Sequence, residues 1–163
     1  MRWGLAFCLL AAAAAPAAAQ SAYDMRILAA HNAERARAGV PPIAWDPVLA
    51  AGAAQHAAFL AATGQFVHSD RRARRGVGEN LGLGPRGFAP EQMVGLWASE
   101  RRNFLAGIFP DVSRTRNWMD IAHYSQVIWP TTTRVGCALG RGRMDVLVCR
   151  YAPAGNIDGR RVP

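Results

Sequence analysis

The chain has 163 residues, 51% of them hydrophobic and 18% charged, with a formal net charge of +8. One domain is the expectation at this length, and aliphatic and aromatic residues recurring to the C-terminus exclude a disordered chain. Three cysteines exclude a disulfide-dense miniprotein, and all 19 cations are arginine, which reads as codon bias more than chemistry.

Residues 1–19 read as a secretory signal peptide. Arg2 gives the positive start, Leu5 to Ala15 the apolar core, and Ala17-Ala18-Ala19 the small-residue cleavage site, with Gln20 as the new N-terminus. The apolar core is too short to favour a membrane anchor. Cys8 lacks the preceding small residues that a lipidated cysteine needs. The expectation is a secreted or periplasmic single domain over residues 20–163, with no transmembrane segment, in an oxidising compartment. Cys137 and Cys149 are the two cysteines left to form one disulfide.

Residues 22–38 read as a helix, with Leu28, His31/Asn32 and Arg35 on one face, stopped by Gly39 and Pro41-Pro42. Asp46-Pro47 is an N-cap followed by proline at the first helical position. The helix it opens runs to about Ala62, and its inner face of Leu49, Ala53, His56/Ala57 and Leu60 predicts close packing against another layer. Residues 64–89 read as a long irregular loop holding His68, Ser69, the run Arg71-Arg72-Ala73-Arg74-Arg75, and Gly78-Glu79-Asn80. A loop of that length inside a small domain is usually functional. Pro90 opens a third helix to about Phe104, residues 105–119 read as irregular, and a short helix or turn follows at 121–129.

The chain closes with a hairpin, Val135–Leu139 and Met144–Tyr151, around Gly140-Arg141-Gly142-Arg143. Cys137 and Cys149 stand nearly symmetric about that turn, so a bridge between them would staple the hairpin. The loop-entropy model puts its contribution at roughly 3 kcal/mol.

The third helix carries a carboxylate where a core side chain belongs. Met93, Leu96, Trp97 and Phe104 form an apolar stripe, and Glu100 lies within it. Such a group needs a partner. Arg35 would make a structural pair; His68, Glu79 and His123 would instead make a polar cleft. Two histidines and two glutamates suit a divalent metal, zinc or another, with imidazoles as ligands and carboxylates as ligands or orienting groups. Neither a His-Glu-x-x-His nor a Cys-x-x-Cys motif occurs.

Four segments resemble the signatures of the CAP superfamily, which includes cysteine-rich secretory proteins, insect venom antigens and plant pathogenesis-related proteins. His123-Tyr124-Ser125-Gln126-Val127-Ile128-Trp129 is similar to the Gly-His-aromatic-(Ser/Thr)-Gln motif that ends in tryptophan. Cys149-Arg150-Tyr151-Ala152-Pro153-Ala154-Gly155-Asn156 resembles the second signature, His31-Asn32-x-x-Arg35 the first-helix motif, and Gly78-Glu79-Asn80-Leu81 the Gly-Glu-Asn loop. Ala122 and Ser125 replace the usual glycine and the commoner threonine. The compact size and single disulfide look like a bacterial secreted member.

The resemblance implies an α+β fold: a three-layer α-β-α sandwich with a small central antiparallel sheet. Its strand count exceeds the one read here, so the missing strands belong in the stretches read as irregular. It also implies a central cleft in which His68 and His123 are candidate metal ligands and Glu79 and Glu100 support them. His31, Asn32, Arg35, Asn80, Tyr124, Gln126, Tyr151 and Asn156 are then structural hydrogen-bonding positions.

Three activities follow from these features. The first is a binding module whose cleft holds a divalent metal and releases it as the imidazoles protonate. The second is a hydrolase in which Ser69, with His68 and the glutamates Glu79 and Glu100, is the candidate catalytic group. The third is lipid or sterol binding along Phe104-Leu105-Ala106-Gly107-Ile108-Phe109-Pro110. The Arg71–Arg75 run could attract an anionic cell-wall polymer or lipid headgroups, and a small-molecule ligand is a further candidate partner of the chain. Nucleic acid is not expected, because no aromatic platforms alternate with the cations.

Overall fold

The computed structural model describes residues 20–163, so the signal-peptide reading of residues 1–19 lies outside it. Helix α1 (Ala22–Arg37) begins at a reciprocal cap, in which the Ser21 hydroxyl accepts from the Asp24 N–H and the Asp24 carboxylate accepts from the Ser21 N–H. Gly39 ends it with a left-handed φ of 71°. The short strand β1 (Ala44–Trp45) leads to helix α2 (Pro47–Thr63), whose Asp46 cap accepts from the N–H groups of Val48 and Leu49.

Strand β2 (Gly78–Gly84) occupies the end of the stretch read as irregular. Helix α3 (Pro90–Ala98) is shorter than expected and tightens into a 3-10 helix over Ser99–Asn103. Its buried stripe is Met93, Val94 and Trp97, while Leu96 is 39% exposed, so the expected place of Leu96 in the stripe is taken by Val94. Strand β3 (Gly107–Ile108) and a 3-10 helix (Trp118–Ile121) precede the short helix α4 (Ala122–Val127). The hairpin strands are β4 (Arg134–Arg141) and β5 (Asp145–Ala152), followed by β6 (Arg161–Val162).

The main sheet has the order β1-β4-β5-β2. Strands β4, β5 and β2 are antiparallel, but β1 runs parallel to β4, so the sheet is mixed rather than purely antiparallel. Strands β3 and β6 form a separate antiparallel pair. Side chains alternate between the two faces of the sheet. Val135, Cys137, Leu147, Cys149 and Tyr151 join the larger core with α1, α3 and α4. Val146, Val148 and Leu81 meet Ala53, Ala57 and Leu60 of α2 on the other face. This gives three layers, with α2 alone on one side.

The alanine face of α2 lies close to the sheet, as its composition predicts. A Cβ at Gly136 would collide with the backbone of Ala50 and Asp46, and one at Gly140 with the Ala57 carbonyl. Cys137 and Cys149 are direct cross-strand partners joined by a disulfide, with an S–S distance of 2.02 Å. Among the described residues no helix is long and apolar enough to cross a membrane.

Candidate functional site

The site forms around the start of β2, which is an edge strand. Glu79 and Asn80 are consecutive there and point to opposite faces. Glu79 stands directly across from Arg150 on β5. It accepts hydrogen bonds from the Ser69 N–H at 2.9 Å, the Ser69 hydroxyl at 2.6 Å and His68 Nδ1 at 3.0 Å. Arg74 Nε and Arg150 Nε lie 3.8 and 3.4 Å from its oxygens. Burial pushes the Glu79 pKa up, but the hydrogen bonds from His68 and Ser69 and the charge of Arg74 outweigh it and hold the pKa at about 2.

The second pair comes from the other helical layer. Glu100 Oε1 accepts from His123 Nδ1 at 2.6 Å, and Oε2 accepts from the N–H groups of His123 and Tyr124, both at 3.0 Å. Those are first-turn N–H groups of α4, whose own N-cap, Ile121, offers no side-chain acceptor. Glu100 therefore caps a helix and orients a ring together. The partner expected as one alternative, Arg35, goes elsewhere: it donates to the carbonyls of Pro41, Val127, Trp129 and Thr132. Trp97 lies nearly parallel to the His123 ring, with centroids 6.2 Å apart.

His68, Ser69, Glu79 and His123 line one cavity of about 690 Å³, while Glu100 stands outside its lining. In both pairs the carboxylate accepts at Nδ1, so Nδ1 carries the hydrogen and the Nε2 lone pair is free. Neither Nε2 has a hydrogen-bond partner among the described residues. All four carboxylate oxygens are already engaged. That donor set suits a cation taken by imidazole nitrogens, with the acids as orienting groups. The cleft residues do not form a trio of ligand atoms within 4.8 Å of one another. Among the described residues only His31, Cys137 and Cys149 do so. That trio is a disulfide beside an engaged imidazole, so it offers no thiolate.

Ser69 is not arranged as a nucleophile activated by His68. Its hydroxyl donates to Glu79 and accepts from Arg150 at 3.3 Å, and His68 donates to the same carboxylate. Among the described residues the only base touching the hydroxyl is a carboxylate with a pKa of about 2, far below the range useful for proton abstraction near neutral pH. The aromatic stretch 104–110 is largely packing. Phe109 is buried between Trp118 and Trp129, and Phe104 meets Tyr124 edge-on.

The remaining motif residues tie the layers together. The His31 Nδ1–H donates to the Ile27 carbonyl, so Nε2 accepts from the Tyr151 hydroxyl at 2.8 Å. Asn80 donates to that hydroxyl and to the His123 carbonyl. Burial pushes the His31 pKa down to about 4 and the Tyr151 pKa well up. Asn32 pairs with both backbone groups of Ile43. Gln126 accepts from the Gly155 N–H, while Asn156 accepts from Ser125 and donates to the Ala122 carbonyl. Sequence reasoning missed Arg150 beside Glu79; its alternation with Cys149 and Tyr151 on β5 places it on the opposite face from them. It also gave Trp118 no place in the cleft, and no local pattern marks that residue.

A disulfide-bonded α-β-α sandwich with two histidine–glutamate pairs at one sheet edge defines a CAP-type domain. The chain belongs to the cysteine-rich secretory protein family, whose sequence model matches residues 28–151. Pathogenesis-related leaf protein 6 of Solanum lycopersicum is 36% identical over 138 residues, covering 82% of this chain and 79% of that one. Pathogenesis-related protein 1C of Nicotiana tabacum is 35% identical over 136 residues, covering 82% and 76%. The fold is similar to the crystal structure of NaASP2 with Zn2+, with a TM-score of 0.71 at 24% identity over 91% of this chain and 88% of that chain. Membership in this family and the disulfide are consistent with an extracellular location.

Proposed function

We propose that this chain is a secreted binding module whose cleft takes a divalent cation, zinc foremost, at Nε2 of His68 and Nε2 of His123. The observation that carries this is the pairing of each Nδ1 with its own glutamate, at 3.0 and 2.6 Å. A carboxylate at Nδ1 fixes the tautomer, raises the basicity of the far nitrogen and holds the ring in place. NaASP2, a protein of similar fold, has been solved with Zn2+, and a zinc-binding reading is in keeping with that. When bound, the ion supplies an electrophilic anchor for an anionic group of the ligand. Glu79 and Glu100 carry no proton to or from that ligand; they keep the imidazoles turned to the cavity. Export by cleavage near Ala19 belongs to this reading, as does a bacterial source, which rests on compact size and the single disulfide.

A calorimetric zinc titration of residues 20–163 tests it. One-to-one binding at about pH 7.5 should be lost at about pH 5.5, because protonated imidazole cannot ligate. It should also be lost in His68→Ala/His123→Ala. Absence of binding in the folded wild type, or full binding in the double variant, overturns the metal assignment.

A further inference from the structure

Two further sets of residues line the cleft beside the histidine–glutamate pairs. The first is cationic. Arg71, Arg74 and Arg75 line the cavity against a single carboxylate, Glu79. Arg74 is engaged, donating to the Ser69 and Val77 carbonyls and facing Glu79. Arg71 and Arg75 are exposed, and their guanidiniums have no ion-pair partner among the described residues. Glu79 is already matched by Arg150 as well, so the cavity presents net positive charge.

The second is aromatic. Trp118 and Met119 line the same cavity and are 42% and 62% exposed. Trp118 is held in place from behind: Phe109 meets it edge-on at 5.5 Å, and the buried Trp129 meets Phe109 edge-on at 5.9 Å. A tryptophan fixed by packing but left open to solvent is a preorganised platform, losing little entropy when a ligand covers it.

We infer that the cleft recognises an acidic oligosaccharide, with sugar carboxylates paired to Arg71 and Arg75 and the C–H face of a sugar ring on Trp118. This rests on the cleft being the binding site, but not on the metal. Guanidinium forks suit carboxylate groups. The cleft amides Asn80, Gln126 and Asn156 are occupied by internal hydrogen bonds, so the available recognition groups are the arginines and Trp118, beside the two imidazole Nε2 atoms. Among the described residues Trp118 is the sole phenylalanine, tyrosine or tryptophan of the cavity, fewer than the successive stacking platforms a nucleic-acid strand uses. The remaining apolar lining is Val77 and small alanines beside Met119, which gives no aromatic-walled channel for an acyl chain or sterol.

The test is calorimetry with hexagalacturonic acid in EDTA, beside neutral cellohexaose. The acidic hexamer should bind one-to-one, at least about tenfold tighter than the neutral one, and weaken as salt rises. Arg71→Gln/Arg75→Gln should lose about tenfold or more. Arg102→Gln/Arg114→Gln removes the same charge away from the cavity and should lose less than about twofold, since screened distant charges contribute little. Trp118→Ala should also lose about tenfold. If that variant fails to fold, the surface arginine pair still decides the question. Equal binding of cellohexaose, or equal loss in both arginine pairs, overturns the inference. Tighter binding of a thymidine hexanucleotide or of anionic phospholipid vesicles, with the same Arg71, Arg75 and Trp118 dependence, overturns it in favour of those ligands. Binding that appears only when zinc is added makes recognition metal-borne and overturns it too. Binding in EDTA by a protein that takes no zinc leaves it standing while the metal assignment falls.

Discussion

Glu100 holds His123 twice, by the ring Nδ1 at 2.6 Å and by the backbone N–H at 3.0 Å. The second oxygen also takes the Tyr124 N–H, so one side chain both starts helix α4 and aims the imidazole that helix carries. Ring orientation and local backbone are therefore coupled on the His123 side. On the His68 side the analogous carboxylate is buttressed instead by Arg74 and Arg150.

Glu100→Gln separates these roles. The amide oxygen can still accept from the α4 N–H groups, but its NH2 would face Nδ1 and favour the opposite tautomer, placing the hydrogen on Nε2. Zinc affinity should drop about 10- to 100-fold, as expected for loss of an orienting partner. Stability should fall by only about 1 kcal/mol. Calorimetry and urea unfolding read the two effects separately; unchanged affinity would mean that the glutamate does not orient a ligand.

His31 should make the protein sensitive to mild acid. Its pKa is pushed down to about 4 by burial, against about 6.5 in an unfolded chain. Between those values the unfolded state binds the extra proton, so stability is complete above about pH 6.5 and falls as pH drops towards 4. The loss is on the order of 3 kcal/mol. His31→Asn should lower stability at neutral pH and flatten the urea midpoint over that window. An unflattened profile would assign the acid sensitivity to other groups.

Glu79 acts in a lower window. Its folded pKa of about 2 lies below the usual value of 4.5, so its contribution is complete above about pH 4.5 and is lost as pH falls through about 2. Glu79→Gln leaves Arg74 and Arg150 without their counter-charge and should be destabilised at pH 6. The gap to wild type should close by on the order of 3 kcal/mol between pH 5 and pH 2. Thermal melts at intervals across that range measure it, and a constant gap would contradict the assignment.

Two glycines should respond oppositely to alanine. Gly136→Ala drives a Cβ into the backbone of Ala50 and Asp46, which cannot rotate away, and should cost about 3 kcal/mol or more. Gly95 lies in α3 with no neighbour near its added Cβ, so Gly95→Ala should stabilise by about 0.5–1 kcal/mol. Urea midpoints check both; a tolerated Gly136→Ala would mean that α2 can shift off the sheet.

Most of the fold was legible in the chain. Asp46-Pro47 marked the start of α2, the α2 alanines its close packing, and the cysteine spacing about a glycine turn the bridged hairpin. Strand β2 was not legible, because Gly78, Gly82 and Gly84 suppress strand propensity while giving room to Gln126, Trp97 and Met93. Strand β1 is two residues long and lies parallel to a strand 90 positions away, so no local pattern announces it. The extent of α3 was overestimated, because its apolar period continues into a segment that winds as a 3-10 helix.

The sequence by itself determined the Asp46 cap of α2, the alternation of β4 and β5, the pairing of Cys137 with Cys149, and Glu100 as a carboxylate in need of a partner. All of these follow from residue type and local periodicity, which act within one or two turns of chain. Only the tertiary structure decided which partner each polar group meets. Arg35 ends on backbone carbonyls rather than on Glu100, Ser69 on Glu79 rather than on His68, and Trp118 on the cleft wall. These contacts join residues from ten to more than ninety positions apart. They are settled when the layers close and each buried polar group takes the donor or acceptor that packing brings within reach.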